Sequence, residues 1–157
     1  VKPPYFFYKD IKINMKITDQ EIEKMFDIAN LNRKDLLDAL IDMGPKFLHN
    51  KKMKEEYDVN NPTRNFCYVV SEFVYYYIAP EGSKPYGLRI EGDESLHRFV
   101  KWPDGRIVDL TCDQFPDYSK VIYQNAKVTN FLPVSGKWQP SKRARHLAGL
   151  LGYEKVF

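Results

Sequence analysis

The chain has 157 residues, 43% hydrophobic and 15% aromatic, which suffices for one domain with its own core. Its 24 basic and 21 acidic residues leave a formal charge of +3, too balanced to name nucleic acid as a partner. Two cysteines, Cys67 and Cys112, are too few for a disulfide framework and suggest a reducing, cytoplasmic setting; no apolar run nears a membrane span and the start lacks a signal-peptide pattern, so the chain reads as soluble.

The opening alternates Ile11, Ile13, Met15 and Ile17 with polar residues, the two-residue period of a half-buried strand. Thr18 and Glu21 form a capping box, and Ile22, Met25, Phe26 and Ala29 continue at helical spacing, so a helix of about three turns is expected. A second helix on Leu36, Leu37, Leu40 and Ile41 should stop at Gly44 and Pro45, the two together resembling an accessory hairpin. The charged run from His49 to Thr63 reads as a solvated helix face or loop. From Asn65, Phe66, Val69, Val70, Phe73, Val74 and Tyr77 recur at spacings of three and four, predicting a helix of about 14 residues capped by Asn65. Pro80 and Gly82 end it. A strand at "PYGLRIE", a hairpin, a strand at "KVTNFLPV" and a short basic helix capped by Ser141 and ending at Gly152 complete an α+β order.

The hairpin holds the first chemical signal. In "WPDGR", Pro103 and Asp104 suit a type I turn and Gly105 the left-handed position of a three-residue loop. Val100 then faces Val108, Phe99 faces Asp109 and His97 faces Thr111. His97 and Asp109 become diagonal neighbours on one sheet face, about 7–8 Å apart at Cα and within side-chain reach. A two-residue turn would put them on opposite faces. A carboxylate on one ring nitrogen fixes the histidine tautomer and stabilises the imidazolium, leaving the other nitrogen free to serve a nucleophile. Cys67, near the start of the third helix, is the candidate, because unpaired amides and an imidazolium both favour a thiolate.

Cys67 at a helix start followed by "HRFVKWPDGRIVDLT" resembles the papain-like and transglutaminase-like cysteine enzymes, whose catalytic histidine and aspartate sit on adjacent strands. The stretch from Asn61 to Phe115 also looks like the small YunG-like bacterial and phage proteins. The resemblance implies an α+β core with a nucleophile helix on an antiparallel sheet. Residues 57–157 would form this core and residues 1–56 an N-terminal strand and helical accessory region, within a single domain. It further implies Cys67 as nucleophile, His97 as base and Asp109 as orienting acid, with the Cys67 amide and a side chain such as Asn61 or Asn65 as oxyanion donors. Thr111 and Gln114 are candidates for substrate contact.

The expected activity is a cysteine hydrolase or acyltransferase acting on an amide, ester or isopeptide through a thioester on Cys67. The substrate would be a peptide, protein or small molecule, with no cofactor. The alternative is a non-catalytic binding or inhibitory protein, such as a phage regulator, engaging an acidic partner through its basic C-terminal helix. Cys67, Cys112, His97 and Asp109 include metal-ligand types, but no close pair of ligands has metal-site spacing, and no metal is expected. "FVYYYI" reads as core packing and "SKRARH" as a solvated face rather than a nucleic-acid grip, and neither a nucleic-acid nor a membrane partner is expected.

Overall fold

The computed structural model describes residues 16–48 and 50–157. The predicted N-terminal strand lies outside these residues except for Lys16 and Ile17, which join no strand. The first helix, α1 (Asp19–Ala29), opens on the expected capping box: Thr18 Oγ1 accepts from the Glu21 amide, and the Glu21 carboxylate accepts from the Thr18 amide. Asn30 takes a left-handed conformation at its end, and Asn32 caps α2 (Arg33–Met43), which stops at Gly44 as the sequence predicts.

These helices are not an accessory hairpin. Ile22, Phe26, Leu36 and Leu40 belong to the same buried core as Phe66, Val69, Val70 and Phe73. An amphipathic helix must bury its apolar stripe somewhere, and here the first packs against the hairpin strand at Ile107–Val108 and the second against the C-terminal helix at Lys142–Leu150. The charged stretch that follows forms only a short helix, α3 (Lys51–Glu55), none of whose residues is fully buried.

The next helix, α4 (Cys67–Phe73), runs on into a π-helical turn at Val74–Ile78, with the Ala79 amide bonded to the Val74 carbonyl at 2.7 Å. Together they span nearly the predicted length. Asn65 is not the cap, however. Phe66 occupies that position, and Asn65 sits two residues before the helix at φ +68°, a conformation asparagine tolerates better than most residues.

Four antiparallel strands follow in the spatial order β3, β2, β1, β4: β1 (Lys84–Arg89), β2 (Leu96–Lys101), β3 (Ile107–Val108) and β4 (Lys127–Val128). The hairpin closes in the predicted register, with Val100 opposite Val108. Gly105 adopts φ +92°, its amide bonds to the Trp102 carbonyl, and Asp104 accepts from the Arg106 amide and side chain. The ladder is shorter than expected, since β3 ends at Val108 and Asp109 lies just beyond it. "KVTNFLPV" contributes only the two residues of β4, paired with Tyr86 and Gly87. The last helix, α5 (Lys142–Leu150), is capped by Ser141.

The sheet is packed on both sides. Val100, Trp102 and Val108 join the main helical core, whereas Leu88, Ile90, Phe99, Phe115 and Val121 form a second, smaller cluster. No helix among the described residues is long and apolar enough to cross a membrane.

Candidate active site

The site begins where α4 docks on β2. Cys67 and Ser71, one turn apart on the same face of the helix, meet carbonyls two residues apart on the strand. Cys67 Sγ lies 3.8 Å from the Leu96 carbonyl and Ser71 Oγ donates to the Arg98 carbonyl at 2.9 Å. β3 pairs only with Val100 and Lys101, so the Leu96–Arg98 half of β2 has no strand partner on that flank. Between the two carbonyls in sequence comes His97, 2% exposed.

His97 Nε2 lies 2.6 Å from Asp109 Oδ2, and both side chains are buried. The hairpin register therefore does bring the pair together, even though Asp109 is past the end of β3. A second donor reaches the same oxygen: Tyr123 Oη–H bonds to Asp109 Oδ2 at 2.9 Å. Burial pushes the Tyr123 phenol far up, with the Asp109 charge adding to it, so Tyr123 stays protonated and serves as donor. The Asp109 amide is directed at Met25 Sδ, 3.4 Å away on α1. The first helix thus backs the acid.

Burial alone would lower the His97 pKa, but the adjacent Asp109 charge and its hydrogen bond overcome this and raise it to about 10, with a smaller contribution from Cys67. His97 is therefore an imidazolium at neutral pH. Its Nδ1 is buried with no hydrogen-bond partner among the described residues. The thiol is close enough to favour the charged ring but is directed at Leu96, an approach looser than a hydrogen bond. Resting sites of this kind often tighten only when substrate binds. Phe115 packs its ring perpendicular to the imidazole at a centroid distance of 4.7 Å, fixing its plane.

Gln114 closes the site from the other side. Its Oε1 accepts from the Asn65 amide at 3.2 Å and from Arg64 at 3.4 Å, which settles the orientation of the carboxamide. Its Nε2 is buried without a partner among the described residues. Both named asparagines are engaged elsewhere: Asn61 Nδ2 donates to the Gln114 carbonyl and Asn65 Nδ2 to Glu56. Thr111 is buried and does not line the cleft beside the thiol, whereas Gln114 does. Cys112 is 1% exposed in the main core, and burial pushes its thiol pKa far up, as suits a packing residue.

Sequence reasoning missed Tyr123. It comes from an irregular segment and carries no periodic signal. Tyr123→Phe should cost about 1.5–3 kcal/mol, the range for a hydrogen bond to a charged group, and urea unfolding at pH 7 would measure it.

The basic C-terminal helix is largely engaged within the molecule. Arg143 donates to the Phe47 carbonyl, Arg145 to Gln139 and the Pro140 carbonyl, and His146 stacks on Phe47. Among the described residues no group of three histidine, cysteine or acidic side chains could hold a metal ion. The chain matches no family model, no curated protein and no solved structure.

Proposed function

We propose that the protein is a papain-like cysteine hydrolase or acyltransferase that forms a thioester on Cys67. The observation that carries this reading is the Cys67–His97–Asp109 series, in which buried His97 gives Nε2 to buried Asp109, keeps Nδ1 without a hydrogen-bond partner among the described residues and lies within influence of a partly exposed thiol. Of the four buried polar side-chain atoms without a hydrogen-bond partner among the described residues, three, His97 Nδ1, Asp109 Oδ1 and Gln114 Nε2, fall on this series and its immediate neighbour, the fourth being Ser83 Oγ. Unmatched buried polar groups are costly and cluster where chemistry needs them.

The charge state of His97 sets the mechanism. Asp109 holds the proton on His97, and an adjacent imidazolium favours the thiolate over the thiol. The reactive form is then a thiolate beside an imidazolium. The thiolate attacks the carbonyl carbon, and the C=O electron pair moves onto oxygen. Gln114 Nε2–H and the Cys67 backbone amide, at the first position of α4 where no intrahelical acceptor exists, are the donors for that oxyanion. Collapse expels the leaving amine or alcohol, which takes the Nδ1 proton from His97. Neutral His97 then accepts a proton from the water or amine that attacks the thioester, and the thiolate and imidazolium are regenerated.

The test is alkylation of Cys67 by iodoacetamide as a function of pH, in a Cys112→Ser background. Reactivity is expected to persist well below the pH at which a free thiol loses it, and to fall to the free-thiol profile in His97→Ala. A free-thiol profile in both proteins would count against the enzyme reading and favour the binding protein.

A further inference from the structure

The cavity at Cys67 measures about 340 Å³, within the range of small-ligand sites. Its charge is one-sided: it is lined by two arginines, Arg98 and Arg143, and by no acidic residue. Both guanidiniums are held in place. Arg98 Nη1 donates to Thr129 Oγ1 and the Asn130 carbonyl, and its guanidinium carbon lies 4.8 Å from the Tyr68 ring centroid. Arg143 Nη1 donates to the Phe47 carbonyl at 3.0 Å. These bonds leave Nε and Nη2 of each without a protein acceptor among the described residues, and neither arginine forms an ion pair there, in contrast to Arg33, Arg64 and Arg106.

The nearest acid does not cancel them. Glu72 is buried, and its two oxygens take the Ser141 amide and hydroxyl at 2.9 and 2.7 Å. Burial raises its pKa against the pull of Arg143 and Arg98. At most one negative charge, already bonded, faces two fixed positive ones. Partly buried cations without a carboxylate carry an uncompensated desolvation cost, and a bidentate acceptor is the group their geometry suits.

We propose that the acyl group taken by Cys67 carries a carboxylate, so that the substrates are acidic acyl donors, peptides with a glutamate or aspartate beside the attacked carbonyl. The apolar lining, Met53, Leu96, Leu132 and Val134, suits the stem of such a residue. The proposal rests on the thioester reading above.

Two reagents of similar size separate charge from reactivity. In the Cys112→Ser protein the ratio of iodoacetate to iodoacetamide rate constants, normalised to N-acetylcysteine, should exceed one. It should fall at least threefold in Arg98→Gln or Arg143→Gln. Because the His97 imidazolium also attracts an anion, an unchanged ratio in both arginine variants would overturn the proposal. A second measurement needs no variant: peptidyl vinyl sulfones bearing Glu, Gln or Lys next to the warhead should inactivate the protein in that order. Glu is expected to exceed the isosteric Gln by about tenfold, as for one charge-assisted contact, and equal rates would overturn the proposal. The iodoacetamide profile with and without His97 reports separately on the thiolate, so failure of substrate recognition and failure of the enzyme reading give different results.

Discussion

Asp109→Ala is expected to lower stability at neutral pH by about 3–5 kcal/mol, the cost of removing one partner from a buried ion pair, as read by urea unfolding. The side chains of both His97 and Asp109 are essentially excluded from solvent, and without the carboxylate only desolvation remains to act strongly on the imidazole. His97 would then give up its proton, and with it the charge that keeps a thiolate company. Tyr123 Oη would also lose its acceptor. The alkylation profile of Cys67 should consequently move to that of a free thiol. Asp109→Asn separates geometry from charge: its carbonyl can still accept from His97 Nε2–H, so the stability loss should be smaller, while the alkylation profile should shift almost as far. Should Asp109→Ala unfold within about 1 kcal/mol of the parent, the pair would be a marginal contact and Asp109 could not hold the proton on a buried His97.

The parts of this site that could be read from the sequence are those set by local chemistry. Pro103-Asp104-Gly105 dictates a loop length, the loop length dictates register, and register puts His97 and Asp109 on one face. The Thr18 capping box and the Gly44-Pro45 stop are local in the same sense. What failed was non-local. Periodicity shows that α1 and α2 have apolar stripes but not what the stripes meet, so it does not distinguish an accessory pair from helices that share the main core, as these do. The "KVTNFLPV" stretch has strand-like composition, yet pairing depends on a partner edge, and only Lys127 and Val128 find one. Asn65 has the side chain of a cap but a backbone at positive φ, which takes it out of the capping position. Tyr123, which the sequence did not point to, and Gln114, expected only as a substrate contact, reach the site from turns whose path depends on the whole sheet, and no spacing rule connects them to Cys67.

Stability in a Cys67→Ala background should fall with rising pH above about 6.5, by up to about 1.4 kcal/mol per pH unit, the value of 2.303RT for one proton. In the parent Asp109, with a smaller contribution from Cys67, raises the folded His97 to about 10 against desolvation, and in the variant the larger Asp109 contribution remains, whereas the unfolded residue releases its proton near 6.5. Across that window the native state binds one more proton than the unfolded state. The stabilisation is thus complete below the unfolded value and is lost as pH climbs through the folded one. Removing the Cys67 thiol matters because the proposed thiolate–imidazolium mechanism implies a compensating event in the parent: a native thiolate set against an unfolded thiol leaves each state one proton of the pair, and the slope vanishes until a free thiol ionises near 8.5. Urea unfolding from pH 6 to 10 should therefore give a falling line for Cys67→Ala and a flat one for the parent up to about pH 8.5. Parallel falling lines would mean that the native thiol keeps its proton beside the charged histidine, and two flat lines would mean that His97 is not charged at all. Only the divergent pair is what a thiolate–imidazolium site produces, and it needs no knowledge of the substrate.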